Sequence, residues 1–182
     1  MKMNIRKLTT SAVCLALCMV LPLLTGQIQQ IGNMLLPMHF PVIILGFLCG
    51  WQYALVVGFI APILRFFLFG MPPIFPIGIG MAFELATYGL VVGILYQKLP
   101  KKPVNIYVTL ISAMVAGRIV WGVVRLAIAA IFHMEFPMAA FISGAVLTAI
   151  PGIIAQIILI PIIVLALQKA GFVLTNKEYA YQ

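Results

Sequence analysis

The stretch AGRIVWGVVRLAI (116–128) carries two guanidinium groups, Arg118 and Arg125, through sequence otherwise apolar enough to sit in lipid. They are seven residues apart, so on a helix they share nearly one face two turns apart, with Trp121 and Gly122 on or beside that stripe. Arg65 and Glu84 lie in equally apolar surroundings, His39, His133 and Glu135 flank apolar segments, and aspartate is absent. An arginine at a bilayer centre costs roughly 2.5–3.5 kcal/mol even on a lenient insertion scale, so these groups should face a protein interior and have partners. Three arginines against Glu84 and Glu135 leave positive charge unmatched, which an anionic ligand could neutralise bidentately. The chemistry indicated is capture of a small solute bearing a carboxylate or several acceptors. A plainer alternative pairs Glu84 with Arg118 or Arg125 as an internal strut and lets Arg65 snorkel to an interface.

Other residues group around these charges. In FELATYG (83–89), Glu84, Thr87 and Tyr88 share one helix face, which makes Tyr88 a candidate contact. The loop TGQIQQIGNMLLPMHFP (25–41) offers Gln27, Gln29, Gln30 and Asn33 as donors and acceptors, as in a lid or a bland connecting loop. GMPPIFP (70–76) reads as a rigid proline turn forming one wall of the mouth. The candidate substrate-binding set is therefore Arg118, Arg125, Glu84, His39, Arg65, Tyr88, Trp121 and Asn33. His39 beside Met38 lacks acidic or thiolate companions at ligand spacing, so no metal or other cofactor is expected. No G-x-x-x-x-G-K-[ST], H-E-x-x-H or G-x-S-x-G occurs, so neither ATP binding nor catalysis is advertised. Any solute movement must draw energy from a gradient or from a partner.

The elements that position these residues are membrane helices. Of 182 residues 64% are hydrophobic and 8% charged, and the mean hydropathy is +1.20, far from the mix of soluble domains. The N-terminal MKMNIRKLTTSAVCLALCMVLPLLTG has the outline of a secretory signal but no clear A-x-A-like end, and is read as a first span. Cys14, Cys18 and Cys49 fall in apolar segments and are read as small hydrophobes rather than a disulfide framework.

Spans are expected over 8–25, 75–96, 104–132 and 138–168, plus an apolar block from Phe40 to Phe69. The remaining basic residues fall in three groups: Lys2, Arg6 and Lys7; Lys98, Lys101 and Lys102; Lys169 and Lys177. Cytoplasmic loops carry the Lys and Arg excess, so an even number of spans should separate successive groups, and the block must be two spans, 39–50 and 52–69. Their turn is expected at CGWQY (49–53). The fold class is thus all-α: one membrane domain over 1–182 with six transmembrane helices and both termini cytoplasmic. The +8 net charge reflects topology rather than nucleic-acid binding. The second span is short, with Pro37 and Pro41 at its start, and needs tilt or shielding. Counting a 1.5 Å rise inward from the outer end, Arg125 and Arg118 lie about 12 Å and 22 Å down the fifth span.

In SAVCLALC (11–18), Ala12 and Ala16 form a small-x-x-x-small patch that permits close helix approach. Gly46 with Gly50 and Gly89 with Gly93 share the spacing, and such pairs often pack helices within one chain. With this size, six spans and Ala12 and Ala16 on the first, the chain resembles the substrate-binding S component of an energy-coupling factor (ECF) vitamin transporter. The segment LPMHFPVIILGFLCGWQYALVVGFIAPILRFFLFGMPPIFP is similar to that family's second and third spans. The resemblance implies a subunit of a prokaryotic plasma membrane, itself no enzyme, that binds a vitamin from outside. It implies a transmembrane coupling (T) subunit docking at Ala12 and Ala16 and two ATPase subunits, with the binding protein tipping over to release its cargo. The arginines favour an anionic vitamin such as pantothenate; a pyridoxine-like or thiamin-precursor compound is the rival. A stand-alone secondary carrier or channel is the alternative of a different class.

Overall fold

The computed structural model describes residues 5–25, 34–133 and 149–172. The described residues form helices and no strand: α1 (Ile5–Val20), ending in a 3-10 turn (Leu21–Thr25), α2 (His39–Cys49), α3 (Trp51–Phe69), α4 (Ile79–Lys98), α5 (Pro103–Ile131) and α6 (Ile150–Lys169). A π-helical turn (Ile74–Gly78) leads into α4. It overlaps the end of GMPPIFP (70–76), where the Met71–Pro72 and Phe75–Pro76 peptides are cis. Of the expected last span, residues 138–148 lie outside the described residues.

Among the described residues five helical segments are long and apolar enough to cross a membrane: Ile5–Leu24, Trp51–Phe69, Ile74–Lys98, Pro103–Ile131 and Ile150–Lys169. The expected span 39–50 differs. Its helix has 11 residues, about 16 Å against a hydrocarbon core of about 30 Å. This helix is apolar all round and almost wholly buried, packed among α1, α3, α4 and α6. The α2–α3 turn falls at Gly50, whose φ of 90° disfavours any residue with a β-carbon.

The α3–α4 pair is held unusually close. A β-carbon on Gly93 would stand 2.2 Å from the Trp51 backbone nitrogen, and one on Gly89 2.5 Å from Ala54 backbone atoms. Both glycines are therefore consumed by packing within the chain. Ala12 and Ala16 are instead exposed. On α5 the exposed stripe Val104, Val108, Ile111, Val115, Ile119 and Val123 opposes the buried stripe Ile106, Leu110, Ala113 and Gly117. An exposed apolar stripe of this length suits lipid rather than water.

The ends of the bundle are chemically distinct. Arg6 Nη2 donates to the Gly171 carbonyl at 3.0 Å, Gln168 Nε2 donates to the Tyr96 hydroxyl, and Lys101 Nζ donates to the Tyr96 carbonyl. The start of α1, the α4–α5 turn and the end of α6 thus meet at one basic end. Lys7 departs from the expected exposed cluster: its side chain is buried, with Nζ 5.9 Å from the Tyr53 ring centroid. The buried cysteines are unbridged.

Candidate functional site

Toward the end opposite the basic groups, three helices converge on one carboxylate oxygen. Glu84 stands early in α4 and is 2% exposed. Arg118 Nη1 of α5 lies 3.1 Å from Glu84 Oε1, the Tyr88 hydroxyl donates to the same oxygen at 3.2 Å, and His39 Nε2 of α2 lies 3.4 Å away. A carboxylate this deep persists only with such partners. Tyr88 and His39 also meet edge to face, their centroids 5.2 Å apart.

Local sequence explains the convergence. Glu84 and Tyr88 are one helical turn apart, so Tyr88 reaches back along α4. Gly117 clears the space its ring needs, since a β-carbon there would stand 2.6 Å from Tyr88 Cε1. His39 opens α2 through a turn in which its backbone N–H donates to the Leu36 carbonyl at 3.0 Å. Leu36 itself has a φ of 52°.

Arg118 gives Glu84 only Nη1. Its Nε and Nη2 are buried without a hydrogen-bond partner, as is His39 Nδ1. Nε–H and Nη2–H form the side-on fork of a guanidinium, the edge that accepts a carboxylate bidentately. Arg125 lies further along α5 with its guanidinium carbon 5.9 Å from the Trp121 ring centroid. Its aliphatic stem crosses Gly80 of α4, where a β-carbon would stand 3.2 Å from Cδ. The expected stripe Arg118, Trp121, Arg125 therefore faces the first turns of α4.

Arg65 does not join this group. It is 3% exposed, its Nη1 donates to the Met19 carbonyl at 2.5 Å, and its guanidinium carbon stands 5.0 Å from the Phe69 ring centroid. It ties α3 to the end of α1. Thr87 spends its hydroxyl on the Phe83 carbonyl of its own helix. Asn33, Glu135 and the glutamines of the first loop lie outside the described residues. Among the described residues no group of three or more His, Cys, Asp or Glu could hold a metal ion.

Gln156 escaped the sequence reading. It is fully buried on α6, and neither its amide nitrogen nor its oxygen has a hydrogen-bond partner. The signal was present: it is the lone polar side chain in IPGIIAQIILIPIIVLAL (150–167).

A second feature lies on the outside of the bundle. Leu8, Ala12, Leu15, Tyr53, Val56 and Ile60 line an apolar groove between α1 and α3. Ala12 forms part of its wall, and Ala16 lies one turn further along the same exposed face.

A family model described as "ECF transporter, substrate-specific component" matches residues 6–164. No curated protein and no solved structure matches the chain.

Proposed function

Because the chain belongs to the substrate-specific components of ECF transporters, we propose that the Glu84 cluster holds its substrate, and that the substrate is an anionic vitamin such as pantothenate. Membership makes the chain a transporter subunit conferring substrate specificity, not an enzyme. The observation that carries the anionic reading is the buried, unpartnered Nε/Nη2 fork of Arg118. Glu84 occupies one nitrogen of this guanidinium and so holds it in place, while the fork is left for a carboxylate. Arg125 with Trp121 supplies a second cationic wall, and His39 and Tyr88 supply ring edges.

In this reading the basic end faces the cytoplasm of a prokaryotic cell, with both termini there, by the positive-inside rule. The Glu84 cluster then opens toward the outer surface. Ala12, Ala16 and the α1–α3 groove receive a transmembrane coupling subunit, and two ATPase subunits supply the energy. Arg65 belongs with the framework in this reading, and Asn33 with the covering loop.

Titrating the purified chain in nanodiscs with pantothenate and with pyridoxine tests the reading: pantothenate should bind far more tightly. The pairing of Arg118 with Glu84 favours a second reading, in which the neutralised site takes an uncharged ring compound; pyridoxine binding more tightly than pantothenate would establish it. Uptake in cells lacking the coupling subunit and ATPases would instead mark a stand-alone carrier.

A further inference from the structure

Gln156 is fully buried with both polar atoms of its amide unpartnered. On α6 the buried residues Gly152, Gln156, Ile160 and Val164 recur every fourth position and form one stripe, and α6 packs against α2 and α5, the helices that carry His39 and Arg118. Its depth can be fixed. A β-carbon on Gly152 would stand 2.6 Å from the Met34 carbonyl oxygen and 3.0 Å from Leu35 backbone atoms, just ahead of the turn into His39. The two helices run in the same direction, because Cys49 contacts the Lys7 carbonyl near the end where Arg6 meets Gly171. One turn on from Gly152, about 6 Å deeper, Gln156 is level with the start of α2 and hence with the Glu84 cluster.

At this level three side chains from three helices hold buried polar atoms without partners: Arg118 Nε and Nη2, His39 Nδ1, and both amide atoms of Gln156. Buried polar groups are nearly always paired, because leaving one unpaired forfeits its hydration with no return. Such a set of buried, unpaired polar atoms has the form expected of the polar groups in a small-molecule site.

We propose that Gln156 reads a neutral group of the substrate bearing both a hydrogen-bond donor and an acceptor, an amide or a hydroxyl, while the Arg118 fork takes the anion. This rests on the reading of the Glu84 cluster as the substrate site and extends it: the substrate is an acid with a second, uncharged polar group. A primary amide presents one donor face and one acceptor face, so it discriminates against a substrate that is apolar at that position.

The test is calorimetric titration of the wild-type chain, Gln156→Leu and Arg118→Gln in nanodiscs. The probes are pantothenate, which has a carboxylate, an amide and hydroxyls, and pantothenol, in which an alcohol replaces the carboxylate. Gln156→Leu should weaken both probes by about tenfold, whereas Arg118→Gln should weaken only pantothenate. The unliganded Gln156→Leu chain should melt at or above the wild-type temperature, since two unpaired polar atoms are removed. Wild-type affinity of Gln156→Leu for both probes would overturn the proposal, and so would a fall of several degrees in its melting temperature, which would mean that the amide serves the framework. If wild type binds both probes equally and Gln156→Leu weakens both, the anionic reading fails and the role of Gln156 stands. If neither probe binds wild type, the pantothenate-like reading fails, and the unliganded melting temperature decides for or against Gln156.

Discussion

Gly117 lies against the Tyr88 ring, so close that a β-carbon would stand 2.6 Å from Cε1. That contact lets the hydroxyl reach Glu84 while the next residue, Arg118, meets the same oxygen from α5. A glycine with no charge of its own therefore registers α4 against α5 at the site.

Gly117→Ala should force the Tyr88 ring aside. The cost expected of such overpacking is about 1–3 kcal/mol, visible as a lower melting temperature in detergent. Pantothenate affinity should fall as well, because Glu84 loses one donor and Arg118 shifts. Restoring space with Gly117→Ala/Tyr88→Leu should recover the melting temperature and leave affinity low. Recovery of both would mean that the Tyr88 hydroxyl contributes nothing to binding.

Glu84 and Arg118 should behave as a coupled pair. Removing either partner of a buried ion pair costs about 3–5 kcal/mol, whereas removing both costs much less. Glu84→Gln and Arg118→Gln should each destabilise the chain, and the double substitution should regain most of the loss. Binding should follow a different pattern, since a charge-assisted contact is worth about 1.5–3 kcal/mol, or roughly ten- to over a hundredfold in affinity. Arg118→Gln and the double variant should both lose that affinity for pantothenate. A double variant that binds like wild type would leave the pair a strut with no substrate role.

Arg125 provides an independent check. It is less buried than Glu84 and stacks near Trp121, so Arg125→Gln should change the melting temperature little and weaken pantothenate binding several-fold. Intrinsic fluorescence offers a direct measurement, with Trp121 reporting the loss. Unchanged affinity would reduce Arg125 to a prop for the first turn of α4.

Much of this was legible in the sequence. The segment expected at 104–132 forms the helix Pro103–Ile131, that at 75–96 the helical segment Ile74–Lys98, and the turn expected within 49–53 falls at Gly50. Depth was legible only coarsely: a fixed rise per residue puts Glu84 about 13 Å down its expected span, nearer the level of Arg125 than of Arg118, yet it is Arg118 that meets it. The rotation of each helix about its axis was not legible. It is set by where Gly89, Gly93 and Gly117 let backbones and rings approach, and it decides that Glu84 meets Arg118 and that Arg65 turns to Met19. Lys7 shows the same limit: charge placed it in a basic cluster, but packing turned its side chain inward.

The two kinds of small-residue pair should separate cleanly by experiment. Gly93 abuts the Trp51 backbone, which cannot yield as a flexible side chain could, so Gly93→Ala should cost about 3 kcal/mol or more and lower the yield of folded protein. Ala12 and Ala16 are exposed beside an apolar groove, so Ala12→Trp and Ala16→Trp have room in the isolated chain. Their melting temperatures and pantothenate affinities should match wild type. Transport by the assembled complex should fall to background, because a close-approach surface for another helix is blocked. Co-purification with the coupling subunit locates the defect: loss of the complex places docking on this face. Normal transport by both tryptophan variants would move the coupling surface elsewhere and leave the α1–α3 groove to lipid.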